Sequence, residues 1–116
     1  MSQTNAIILR IAKDKTKEFE ALFEAEQYAH WQEMHAKGQM LAASFTRVEY
    51  GSEEDDAKDG GYVNYVVVAK LTGMKAHTAH DEDPRFKEYD RKADAFQPEG
   101  PSVYGGTTIF EIGGGA

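Results

Sequence analysis

The amino-acid sequence predicts an α+β fold of the ferredoxin-like type, β-α-β-β-α-β, with four strands in one antiparallel sheet and both helices on the same face. Three observations lead there. Along 116 residues the apolar pattern switches between strand and helix periods in that order. Gly and Pro punctuate the boundaries between the runs. The last three strands carry apolar or aromatic residues on both faces, so the side of the sheet away from the helices needs a cover of its own. The simplest cover is a second copy around a two-fold axis, sheet against sheet, and a homodimer is expected.

Each element has its own signature. Asn5 to Ala12 holds Ile7, Ile8, Leu9 and Ile11, an unbroken run suited to an inner strand. Lys13, Asp14 and Lys15 interrupt it, Thr16 offers an N-cap, and the stretch to Lys37 lacks Gly and Pro. Phe19, Leu22, Phe23, Ala29 and Met34 fall near helical spacing, with Lys17, Glu18, Glu20 and Glu24 on the wet side. That predicts one long amphipathic helix, ended by Gly38. Gln39 to Tyr50, with Leu41, Ala43 and Phe45 on one side, and Gly61 to Leu71, with Val63, Tyr65, Val67, Ala69 and Leu71, alternate as strands.

Between them, Ser52 to Gly60 gathers Glu53, Glu54, Asp55, Asp56 and Asp59 around the single Lys58. A charged, solvated hairpin loop is expected there. It fails the calcium-loop template, with Ala57 third from Asp55 and Val66 twelfth. Met74 to His80 predicts a short helical turn. Asp83-Pro84 is a strong helix start, and Phe86, Tyr89, Ala93 and Phe96 recur at three and four, giving a second helix from Pro84 to Phe96. After Pro98, Gly100 and Pro101, a final strand runs from Ser102 to Ile112. It sets Tyr104, Phe110 and Ile112 against Val103, Thr107 and Ile109. Gly105 and Gly106 mark a bulge or a close backbone approach. Gly113 to Ala116 is expected to be a disordered tail.

Composition narrows the function classes. Length allows one domain, residues 1–116. Twenty acidic residues against 13 Lys and Arg give a net charge of −7. With no basic stripe, nucleic-acid binding is not expected. No apolar run approaches the roughly 20 residues of a membrane span, so no membrane partner is expected. Met1 to Asn5 lacks the basic-then-apolar order of a signal peptide, and a cytoplasmic location is expected. Zero Cys excludes a disulfide framework, a thiolate nucleophile and a Cys-based zinc site.

The chemistry-bearing residues are few. His30, Trp31 and His35 cluster late on the first helix, and Glu26 lies four residues before His30, on the same face. A His oriented by a carboxylate suits a general base, because its ordinary pKa is near 6.5. The alternative leaves these groups as surface partners, with Trp31 packed on the sheet. His77 and His80 are three apart beside Asp81 and Asp83, which is only loosely compatible with a metal site, and no metal is expected. Aromatic residues, among them Tyr65, Phe86 and Tyr104, exceed what a minimal core needs. Some are expected to line a pocket for a small hydrophobic molecule. The competing reading gives them to the intersheet and helix–sheet cores.

The element order, together with His80-Asp81-Glu82-Asp83-Pro84-Arg85-Phe86-Lys87, resembles the dimeric α+β barrel proteins, and among them the antibiotic-biosynthesis monooxygenase-like family. There a His precedes a capped helix that opens with a Phe-Lys pair. The resemblance implies a sheet-to-sheet dimer with a ligand cavity in each protomer, between sheet and helices, and His80 at its mouth. The family includes cofactor-independent oxygenases of aromatic polyketides and haem-degrading monooxygenases. The haem-degrading branch resembles this chain at Asn5 and Phe86-Lys87-Glu88. Where it places its iron-ligating His, this chain has Asp90, and its third strand has Tyr62 and Tyr65 but no Trp. No cofactor is therefore expected; haem would need His77 or His80. The quinone-forming branch uses a Trp and an Asn, for which Trp31 and Asn64 stand here. The implied activity is cofactor-independent oxidation of a hydrophobic phenol or enol, with His30 favoured over His80 as the base, Glu26 behind it, and Trp31, Asn64, Tyr65, Phe86 and Tyr104 around the substrate. The alternative is a non-catalytic, metabolite-binding or stress-related homodimer.

Overall fold

The computed structural model describes residues 2–113. In order they form β1 (Gln3–Ala12), α1 (Thr16–Leu22), a π-helical turn (Phe23–Tyr28), α2 (Ala29–Ala36), β2 (Met40–Arg47), α3 (Glu54–Gly60), β3 (Tyr62–Leu71), α4 (Met74–Glu82), α5 (Pro84–Asp94) and β4 (Glu99–Thr107). The four strands make one antiparallel sheet in the order β2-β3-β1-β4. The β-branched-rich β1 and β3 are its inner strands, paired from Gln3–Leu71 to Ala12–Tyr62. Leu9, Ile11, Tyr65, Val67 and Leu71 on one face bury against Phe19, Phe23, Trp31, Met34, Tyr89 and Ala93 of the helices. At about 25 cal/mol per Å² of apolar surface removed from water, this layer is the main stabilising contact of the chain. As the sequence predicts, Asp83 caps α5, its carboxylate accepting the Arg85 N–H at 2.8 Å with Pro84 in the first turn.

Several details correct the sequence reading. The first helix is not uniform: i→i+5 bonding over Phe23–Tyr28 separates α1 from α2. The expected acidic loop contains α3, with Ala57 buried beneath it. Glu54, Asp55 and Asp56 occupy its first turn and Lys58 its last, where the helix dipole favours each sign, so the charge run is helix-forming. The Met74–His80 turn is a full helix, α4, to Glu82. A register shift between Met40 and Ala42 seats Met40, rather than Leu41, in the core.

The last strand starts earlier and stops earlier than predicted, at Glu99 and Thr107. It is an edge strand bonded to β1 alone, which is why Pro101 is tolerated within it. Phe110 and Ile112 lie outside it, 93% and 100% exposed. The close approach expected at Gly105 is to a side chain: a Cβ there would sit 2.8 Å from Asn5 Oδ1. The predicted tail lies, after Gly113, outside the described residues. On the sheet face away from the main helix layer, the register brings Ala6, Ile8, Val66, Val68 and Tyr104 side by side, with Tyr104 62% exposed.

Candidate active site

The layer between sheet and helices is filled at one end and hollow at the other. At the hollow end a cavity of about 230 Å³ has Ile7, Leu9, Val67, Ala69 and Leu71 as its floor and Phe23, Trp31, Phe86, Tyr89 and Ala93 as its roof. Small side chains make the space: Ala69 and Ala93 stand where larger residues would close it. The π-helical turn shapes the roof, since Phe23, Gln27 and Trp31, four residues apart, all reach the cavity. Such turns recur at functional sites because they re-aim side chains without breaking the helix. The wall is apolar, with Asn5, Gln27, His77, His80, Asp81, Asp90 and Gln97 as its polar groups.

His80 is the best placed of these. It leaves α4 near its end, and its Nδ1 lies 2.9 Å from Asp81 Oδ1. A carboxylate only accepts, so this contact assigns the proton to Nδ1 and leaves Nε2 as an acceptor. The Gln27 side-chain amide, 2.9 Å away, donates to Nε2. Asp81 also faces His77 Nε2 at 2.9 Å, and His77 Nδ1 lies 2.7 Å from Gln3 Oε1. Asn5 Nδ2 donates to the same oxygen at 3.3 Å. A continuous polar chain thus runs along the cavity wall from Asn5 to Gln27. The His80 ring also packs on Phe86, with centroids 4.3 Å apart.

His30 lies behind His80, the two rings nearly parallel at 6° and 5.1 Å apart. It is buried, and its Nε2 faces Asp83 at 3.4 Å. Burial and the stacked His80 push the His30 imidazole below its ordinary pKa, against the pull of Asp83. The Arg85 guanidinium holds the Asp83 carboxyl far below the usual range and, with Lys37, brings Glu33 down to about 2. On the cavity wall, burial raises the Tyr89 phenol above its ordinary range. Burial and the nearby Asp94 and Asp81 raise the Asp90 carboxyl.

Of the residues expected from sequence, His80, Trp31 and Phe86 line the cavity. His30 reaches it only through His80. Glu26 is not its carboxylate: Lys92 pairs with Glu26 at 3.0 Å, and Asp83 takes the place beside His30. Tyr65 lies in the filled end, its hydroxyl donating to Glu20 at 2.6 Å. Asn64 pairs with Arg10 on the other strand parity, so it belongs to the opposite sheet face, as does Tyr104, which pairs with Ala6. None of these three lines the cavity. The sequence reading does not find Gln27 or Gln97, and it weighs Asp81 only beside a metal site, not as the partner of His80. A Gln inside an amphipathic helix carries no motif; its only signal is a polar residue four positions from both Phe23 and Trp31. Among the described residues, no three His, Asp or Glu converge as a metal-ligand set. No helix there is long and apolar enough to cross a membrane.

No protein-family model matches the chain, and no curated protein does. Its backbone is nevertheless similar to several solved structures. One, from Caulobacter crescentus CB15, is provisionally described as an antibiotic biosynthesis monooxygenase; at 17% identity it superposes with a TM-score of 0.73 over 94% of this chain and 91% of that one. A variant of SnoaB, a cofactor-independent oxygenase from Streptomyces nogalater, is 16% identical with a TM-score of 0.67, covering 96% of each chain. A dimeric ferredoxin-like protein from an uncultured marine organism is 10% identical with a TM-score of 0.72, over 96% and 90%. The chain has the ferredoxin-like α+β fold that these solved structures share.

Proposed function

We propose that this protein is a small-molecule oxygenase that works without a bound cofactor, taking a hydrophobic phenol or enol into the cavity and using His80 as its base. The observation that carries the reading is an imidazole on the wall of a largely apolar cavity, held in one tautomer by Asp81. The substrate hydroxyl displaces the Gln27 amide from Nε2 and gives up its proton there. The phenolate, electron-rich at its ring carbon, forms a carbon–oxygen bond with dioxygen in a water-poor space. For a naphthol probe the balance is one O₂ taken up, one water released and a naphthoquinone left. His30 supports the ring of His80 rather than acting as the base. The similarity in fold to a cofactor-independent oxygenase supports this reading.

The test is oxygen uptake with naphthol, with isotopically labelled dioxygen traced into the quinone. Label in the product at a rate that falls with His80→Ala supports the reading; uptake equal to the protein-free rate removes it. A second reading, a metabolite-binding dimer without turnover, is favoured by one fact: the Nε2 of His80 is already engaged by Gln27. It predicts naphthol binding with no uptake.

Both readings include a homodimer closed over the outer sheet face. Its apolar centre of Ala6, Ile8, Val66, Val68 and Tyr104, and the dimeric ferredoxin-like relatives, support that assembly. Val68→Asp with Tyr104→Asp places charge in its middle and is expected to yield monomers in sedimentation velocity.

A further inference from the structure

The amide oxygens of Gln27 and Gln97 are both buried, and neither has a hydrogen-bond partner in the protein. Both side chains line the cavity. The orientation of Gln27 follows from its neighbours. Asp81 takes the proton side of His80, so Nε2 is an acceptor and the Gln27 NH₂ must face it. A half-turn of the amide would set two acceptors against each other at 2.9 Å. The free atom of Gln27 is therefore its oxygen, on a side chain only 5% exposed. Gln97 follows α5, its backbone N–H bonded to the Asp94 carbonyl at 3.2 Å, with its own Oε1 also unpartnered. The other donors of the wall, the Trp31 indole N–H and the Tyr89 phenol, are not bonded to either oxygen. A buried acceptor left without a donor is unfavourable, so a ligand that brings a donor to either oxygen is favoured.

We infer that Gln27 and Gln97 are specificity-determining residues that select ligands able to donate hydrogen bonds, so that the cavity holds a hydroxyl-bearing aromatic and releases its carbonyl counterpart. Two acceptors match two hydroxyl donors. At Gln27, whose NH₂ is held by His80, a carbonyl oxygen in the same position brings acceptor against acceptor. The inference rests on the cavity being the substrate site, and it gives that site a direction: a ligand whose hydroxyl becomes a carbonyl loses what held it.

The test is calorimetric titration of the intact protein with one ring system in four states: naphthalene, naphthol, the dihydroxynaphthalene isomers and naphthoquinone. Each well-placed hydroxyl should tighten binding roughly tenfold, the fold-change of about 1.4 kcal/mol. Naphthoquinone should bind no better than naphthalene. Gln27→Leu and Gln97→Leu should each remove the gain of one hydroxyl while leaving naphthalene affinity unchanged. A merely structural role would instead weaken all four ligands together. Equal affinity across the series overturns the inference but leaves the cavity as a binding site. No binding of any of the four removes the substrate site and the inference with it.

Discussion

The filled and hollow ends of the layer share one sheet and one set of helices, yet they treat polar atoms oppositely. At the filled end Phe19 meets Phe23, Phe45, Tyr65 and Phe96 at centroid distances of 5.7–6.3 Å. The polar atom there, the Tyr65 hydroxyl, has a partner in Glu20, which Arg47 also engages. At the hollow end Ala69 and Ala93 replace aromatic bulk, and the oxygens of Gln27 and Gln97 lack partners, as does His30 Nδ1 behind the wall. Natural cores pair their buried polar groups almost completely. Three of the four unpaired buried side-chain atoms among the described residues gather at this end beside empty volume, which supports the proposed ligand site; the fourth, Asn64 Oδ1, belongs to the opposite sheet face. Phe23 stands at the border, stacked on Phe45 at 3.9 Å and edge-on to Trp31 and Tyr89.

That contrast is open to attack from both sides. The largest effect is expected at the hollow end, where His80→Ala should lower naphthol turnover by about 10²–10⁴-fold. Urea unfolding should move by less than about 1 kcal/mol for the same variant. Retained turnover would strip the ring of its role. Phe19→Ala at the filled end is the mirror experiment: it should cost about 3–5 kcal/mol in urea unfolding, since a fully buried ring leaves a cavity that its aromatic neighbours cannot refill. Ala69→Leu should cost under about 1.5 kcal/mol, because there is already space to receive it. It should nevertheless weaken naphthalene binding in calorimetry. A loss as large as that of Phe19→Ala would mean that the two ends are packed alike.

The smaller effects are in the pH dependence. The Tyr65 hydroxyl, followed by Arg47, lowers the Glu20 carboxyl below its ordinary 4.5, while burial and Glu20 raise the Tyr65 phenol to about 12. A carboxyl lowered in the folded state contributes stability above its unfolded pKa, and that contribution fades as pH falls through the folded value. Tyr65→Phe should therefore cost about 1–2 kcal/mol at neutral pH and flatten the acid limb below about pH 4.5. His30 is lowered as well, but it is a base: its neutral form is favoured on folding, so stability declines as pH falls below the ordinary 6.5. His30→Gln should remove that part of the slope, read from unfolding midpoints across pH 5–7.5.

How much of this was legible depends on whether the signal was local. The Asp83-Pro84 start of α5 and the inner position of β1 follow from a few adjacent residues, and the structure has both. The acidic α3 was hidden because the charges that mark a helix N-terminus also mark a solvated loop. His80 was visible through its neighbours in sequence, but its rank against His30 was not. Glu26 sits one turn before His30, and helical spacing alone pairs them. Lys92, distant in sequence, claims Glu26 instead, and Asp83 arrives beside His30 from the start of α5. Tyr65 and Tyr104 are equally aromatic on paper, and only strand parity and the neighbouring layer separate a core ring from a surface ring.

By itself the sequence determined the order of the four strands and of the two main helical segments, the cap of α5 and the apolar stripes, because these depend on backbone sterics and on periodicities spanning a few residues. The tertiary structure decided where the helix layer is solid and where it is hollow, which imidazole reaches the hollow, and which carboxylate holds it. Those outcomes depend on side-chain volumes and charges brought together from segments far apart in the chain, and no local pattern records the distance between them.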